Sequence, residues 1–150
     1  SLSGSVRLLE GLRGEFGATI NDSDVDEPAV AALDRVSRIP NIARFSGRAG
    51  LAWRREFAGG ARLELDAWAA YVGKSRLGIG PELGDLQGDY LDSGIVVRFG
   101  REKAGLSLAL TNLAGAEGNR FALGTPFATG REQITPLQPR TIRIGFDSRF

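Results

Sequence analysis

Hydrophobic and polar positions alternate with a period of two over seven stretches of the chain: residues 1–8, 12–20, 44–54, 62–72, 90–99, 106–111 and 141–150. A strand puts successive side chains on opposite faces, so this period predicts strands with two unlike faces. The final stretch shows it most plainly, with Ile142, Ile144, Phe146, Ser148 and Phe150 alternating with Arg143, Gly145, Asp147 and Arg149. Between the strands the connections run short, long, short, long, short, long. The short ones are 9–11, 58–60 and 100–103; the long ones are 21–42, 73–88 and 112–140. Only residues 28–39, with Pro28 in the first turn and Val30, Leu33 and Val36 on one side, carry a helical spacing.

One side of every stretch is free of charge. Over 62–72, Leu63, Leu65, Ala67, Ala69 and Tyr71 stand opposite Arg62, Glu64, Asp66, Trp68 and Ala70. A lipid-facing side would impose this filter, since Arg or Lys on it at mid-membrane costs roughly 2–4 kcal/mol. Strands of about ten residues are long enough to cross a bilayer when tilted. Trp53, Tyr71, Phe99 and Phe150 fall near strand ends on the uncharged side, where an aromatic girdle would sit. A soluble sandwich can alternate in the same way, but strictly alternating connection lengths are the habit of outer-membrane barrels. The expected fold is therefore all-β: an antiparallel meander of about seven long strands in the wall of a transmembrane β-barrel.

Composition narrows the function classes. At 42% hydrophobic and 25% charged, the chain resembles neither a disordered segment nor a helical membrane protein. A net charge of +1 gives no bulk attraction for nucleic acid, and none is expected as a partner. The absence of His and Cys removes the commonest general base, the Ser-His-Asp arrangement and thiolate chemistry, so no enzyme and no cofactor are expected. Asp22-Ser23-Asp24-Val25-Asp26 opens like a calcium loop, but Glu27 replaces the required Gly and Leu33 the closing Glu, which leaves a solvated acidic loop.

Certain short motifs resemble those of TonB-dependent outer-membrane receptors, in that family's order and spacing. They are Ile39-Pro40-Asn41 before Arg44, Tyr71-Val72-Gly73-Lys74 closing the fourth stretch, and Thr111-Asn112-Leu113 closing the sixth. Pro139-Arg140-Thr141 opens the last stretch and Arg149-Phe150 ends it. Two departures are Ala114-Gly115-Ala116 after the Asn-Leu unit and Ala43 where Pro is frequent. The resemblance implies that residues 1–150 are the C-terminal part of a barrel of about 22 strands. The signal peptide, plug, energy-coupling segment and earlier strands would lie upstream. It further implies an outer-membrane receptor for a scarce ligand, most often a ferric siderophore. Lipid surrounds such a barrel, and the TonB complex energises it through the upstream part. In the family the terminal aromatic, here Phe150, is the signal read by the barrel assembly machinery.

Ligand-facing candidates follow from the charged side and the last long loop: Arg44, Arg48, Glu64, Asp66 and Trp68, with Arg120, Phe121 and Phe127. The charged side holds nine Arg against five acids. Two readings of this excess stay open: a positive wall that attracts an anionic chelate, or side chains that pair with acids on the plug and on one another. Two other classes also stand beside the receptor. One is a small outer-membrane barrel with an adhesive or structural role; the other is a soluble β-barrel that binds a ligand.

Overall fold

The computed structural model describes residues 1–23, 39–76, 86–123 and 133–149, with residues 120–123 and 133–134 described as backbone only. The helical spacing of residues 28–39 and nearly all of the acidic loop lie outside the described residues. Seven strands form one antiparallel sheet. They are β1 (Leu2–Leu9), β2 (Leu12–Ile20), β3 (Phe45–Glu56), β4 (Arg62–Val72), β7 (Tyr90–Gly100), β8 (Ala104–Thr111) and β11 (Thr141–Ser148), each hydrogen-bonded to the next in chain order. Two short ribbons stand in stretches expected to be loop. β5 (Ser75–Arg76) pairs with β6 (Leu86–Gln87), and β9 (Asn119–Leu123) pairs with β10 (Gln133–Pro136). Among the described residues there is no helix.

The register follows the alternation in the sequence. Gly14 faces Leu51, Leu51 faces Ala67, Ala67 faces Ile95, and Ile95 faces Leu110, which faces Ile142. A slip of one residue in any strand would place charges among these side chains, so the pattern itself pins the pairing. Some ends differ from the expected ones: β7 reaches Gly100 and β8 begins at Ala104, whereas β11 ends at Ser148. β3 continues to Glu56, which brings Arg55 onto the otherwise uncharged face opposite Leu63, in the last turnward row. There its guanidinium carbon lies 5.4 Å from the centre of the Phe57 ring. In β1 the register shifts between Arg7 and Leu9, a bulge that twists the hairpin where it turns through Glu10-Gly11.

Because the meander is antiparallel, the three short turns share one end of the sheet and the three long connections the other. Among the described residues the uncharged face meets no second layer. Ile144 is 81% exposed and Phe146 70%, and Leu2, Phe16, Leu51, Phe99 and Leu106 are exposed as well. The one buried hydrophobic side chain among the described residues, Leu137, lies outside the sheet. Each Ile or Phe of this face would gain roughly 1.5–3 kcal/mol on leaving water. A chain that alternates this strictly has made a face to be covered, and its own described residues do not cover it.

Candidate functional site

The other face carries the polar chemistry, and much of its charge is locally matched. Arg54 of β3 and Glu64 of β4, direct cross-strand partners, make an ion pair of 2.9 Å. Arg62 bonds Glu56 at 2.7 Å near the turn, and Arg13 lies 3.2 Å from Glu15 in β2. The longest reach belongs to Arg98. It crosses the whole of β8 to meet Asp147 of β11 in a two-bond fork, Nε to Oδ1 at 3.0 Å and Nη2 to Oδ2 at 2.7 Å. Two strand spacings, about 9–10 Å, separate these backbones, so only a long side chain crossing low over β8 can make the link. Gly105 leaves that path open: a Cβ there would fall 2.5 Å from Nη2 and 2.7 Å from Cζ of Arg98.

Five of the expected ligand-facing residues share this face. Arg44 is exposed just before β3, where its carbonyl accepts the Asn21 N–H at 2.8 Å. Arg48 leans over Gly17, and Glu64 is held by Arg54. Asp66 is exposed and has no ion-pair partner among the described residues; nor do Arg7, Arg44, Arg48 and Arg143. Trp68 lies against Gly94, its register partner on β7, and stays 37% exposed. Arg120 and Phe121 belong to β9, in the separate ribbon with β10, so the structure does not bring them onto the sheet with the other five. Phe127 and Phe150 lie outside the described residues.

The long-connection end holds what sequence reasoning missed. A cleft of about 760 Å³ opens between β6 and the segments on either side of the β9–β10 ribbon, lined by Gln87, Asn112, Glu117, Asn119, Leu137 and Arg140 among others. Asn112 anchors its floor. It is 3% exposed, and its side-chain amide donates to the carbonyls of Ala116 at 3.0 Å and Gln138 at 2.9 Å while accepting the Ala116 N–H at 2.8 Å. Three connections are tied there: the Asn41 N–H donates to the Arg76 carbonyl at 2.7 Å, Gln87 donates to the Asn41 side chain, and Asn119 donates to Gln87 at 3.4 Å. The amides that do this are spread over 79 positions of sequence, from 41 to 119, with no local signal to link them.

Beside the cleft, the Tyr71 hydroxyl donates to Asp89 Oδ1 at 2.7 Å, and Lys74 Nζ lies 3.3 Å from Asp89 Oδ2. The Tyr71 bond first, and then Lys74, holds the Asp89 carboxyl below the usual carboxylate range. Among the described residues no group of three or more His, Cys, Asp or Glu could hold a metal ion. The charged face therefore offers paired and lone charges and one exposed indole, and the long-connection end an amide-lined cleft. Comparison with protein-family models, with curated proteins and with solved structures gives no match.

Proposed function

We propose that this chain is part of the wall of a large β-barrel in a bacterial outer membrane, in a receptor that takes up a scarce ligand with energy supplied through TonB. The observation that carries the reading is the uncharged face: seven strands in register, apolar side chains exposed on the outer strands and half-exposed on β4, and among the described residues an arginine only at its turnward margin. Lipid is the cover that such a face fits, and the depth-dependent cost of arginine in lipid accounts for the place of Arg55. The polar face then lines a lumen, and the amide-tied connections form part of the outer mouth. The motifs from Ile39 to Phe150 add the receptor family, its TonB partner and a ferric siderophore as its most frequent ligand. They also add the role of the last strand in recognition by the assembly machinery, with the remaining strands and the plug on the upstream part of the same protein.

The test is growth under iron limitation with ferric siderophores as the sole iron source. Loss of the gene should abolish growth on at least one of them, and the intact gene should restore it only in cells that carry TonB. Unchanged growth and uptake on every siderophore tried, with or without the gene, would count against the iron-uptake reading.

A further inference from the structure

We propose that Arg55 and Arg101 form a binding site for the phosphate of a glycerophospholipid at the turnward margin of the uncharged face. Among the described residues Arg55 is the one charged side chain in the strand rows of that face, in line with Leu63, Phe99, Leu106 and Phe146. Every acid of the seven strands falls in the opposite rows, and Glu56, the nearest in sequence, is taken by Arg62 at 2.7 Å. Arg55 itself has no ion-pair partner among the described residues. Its guanidinium carbon lies 5.4 Å from the centre of the Phe57 ring, and Phe57 meets Phe99 edge-on at 6.4 Å between centroids. The side chain therefore bends along its own strand toward the turn, as an arginine does when its stem lies in lipid and its head leaves it. A second cation comes to the same turn. Arg101 is exposed, and its Nη2 is the nearest atom, at 3.8 Å, to the point where a Cβ would sit on Gly59. Gly59 belongs to the turn that Phe57 closes by donating its N–H to the Ala61 carbonyl at 2.8 Å.

Depth and charge select the ligand. The row of Arg55 and Leu63 lies four residues from Ala67, the centre of β4. That is roughly 13 Å along the strand, or about 10 Å of depth at a tilt near 40°. An apolar band about 25 Å tall ends about 12.5 Å from its midplane, so the backbone of Arg55 is still inside it. Phe57, two residues on, is at or beyond the edge, and a guanidinium leaning toward it reaches the layer of lipid phosphates. A guanidinium over a ring keeps the N–H donors of its edge free, and that fork matches two phosphate oxygens at once. Exposed Phe99 and Leu106, in the same row, give the acyl chains an apolar surface to lie on. A free anion would gain the donors but not that surface. Short turns are the periplasmic ones in outer-membrane barrels, and the leaflet on that side is glycerophospholipid.

This inference rests on lipid covering the uncharged face, but not on transport or on any ligand of the lumen. Native mass spectrometry of the full-length protein released from detergent micelles tests it. The probes are dioleoyl phosphatidylglycerol, dioleoylglycerol, which has the same chains and no phosphate, and inorganic phosphate. The phospholipid should bind about tenfold more tightly than dioleoylglycerol, and an excess of inorganic phosphate should leave it bound. Arg55→Gln should weaken phospholipid binding about tenfold, with dioleoylglycerol unaffected, and Arg55→Lys should recover part of the loss. Phe57→Leu, which frees the guanidinium from its ring, should weaken binding about two- to fivefold. Arg101→Gln should weaken it as well, and should add to the loss in Arg55→Gln. The gel mobility of the unboiled band reports whether each variant is folded; if Arg55→Gln is not, Arg55→Lys and Arg101→Gln carry the test. Equal binding of the two lipids, displacement by inorganic phosphate, or phospholipid binding undiminished in folded Arg55 and Arg101 variants would overturn the proposal. In a protein recovered from the outer membrane, any of these removes the phosphate site and leaves the barrel reading standing. Recovery of the protein from the soluble fraction alone would remove both.

Discussion

Leu65→Arg tests which medium covers the uncharged face, and its size follows from where Leu65 lies. In β4 it sits two residues from Ala67, the centre of the strand, with Trp53 and Val97 as cross-strand partners. Two residues rise about 6.6 Å along the strand, which a tilt near 40° reduces to about 5 Å of depth, well inside an apolar band about 25 Å tall. Arginine there should cost close to the midplane value of about 2–4 kcal/mol, or roughly 30- to 700-fold in the folding equilibrium. Phe99→Arg, in the row of Leu63 and next to the turnward end, should cost only about 0–1 kcal/mol. Asp66→Arg, one residue along but on the polar face and exposed, should stay within about 0.5 kcal/mol. The assay is urea titration of the full-length protein in phospholipid vesicles, read by the mobility of the unboiled band. A protein core would penalise an arginine with no such gradient of depth. Equal costs at Leu65 and Phe99, or at Leu65 and Asp66, would refute the facing and the lipid together.

Three further outcomes are expected. Gly105→Ala should push the Arg98 guanidinium off its path to Asp147; with Asp147→Asn as the second change, a double-mutant cycle should show the two losses overlapping, and simple additivity would dismiss the crossing. Asn112→Ala removes three hydrogen bonds at a buried site and should cost about 2–3 kcal/mol locally. It should speed proteolysis within residues 112–140, whereas unchanged cleavage would mean that the amide does not anchor this connection. The pH dependence of the Tyr71–Asp89–Lys74 contact follows from the lowered carboxyl. Its contribution should be fully present above the ordinary carboxylate value of about 3.9 and be lost only as pH falls through the lower folded value. A carboxyl resonance of Asp89 titrating at or above the ordinary value would contradict the contact.

The strands were legible because their alternation is nearly unbroken and a one-residue slip is heavily penalised. Where prediction fell short at their ends, as at Arg55 and Glu56, hydrogen bonding continued past the last residue that keeps the alternation. The β5–β6 and β9–β10 ribbons were not legible: with two to five residues per strand, they are too short to show a period. On the charged face the residue types could be read, but their partnerships could not. Arg54 and Glu64 pair through the register of adjacent strands, which the sequence specifies indirectly. Arg98 and Asp147 are 49 residues apart and meet across an intervening strand, by way of a glycine whose role only the geometry reveals. The same holds for Trp68, whose place in the fourth strand was readable and whose seat against Gly94 was not.

The central claim, that lipid covers the uncharged face, is tested most directly by blotting membrane and soluble fractions of the native cells with an antibody to Thr141–Ser148, with and without boiling. The account predicts a band in the outer-membrane fraction, several times larger than the 16.0 kDa of this chain, that migrates differently when unboiled. A band near 16 kDa in the soluble fraction, indifferent to boiling, would contradict it.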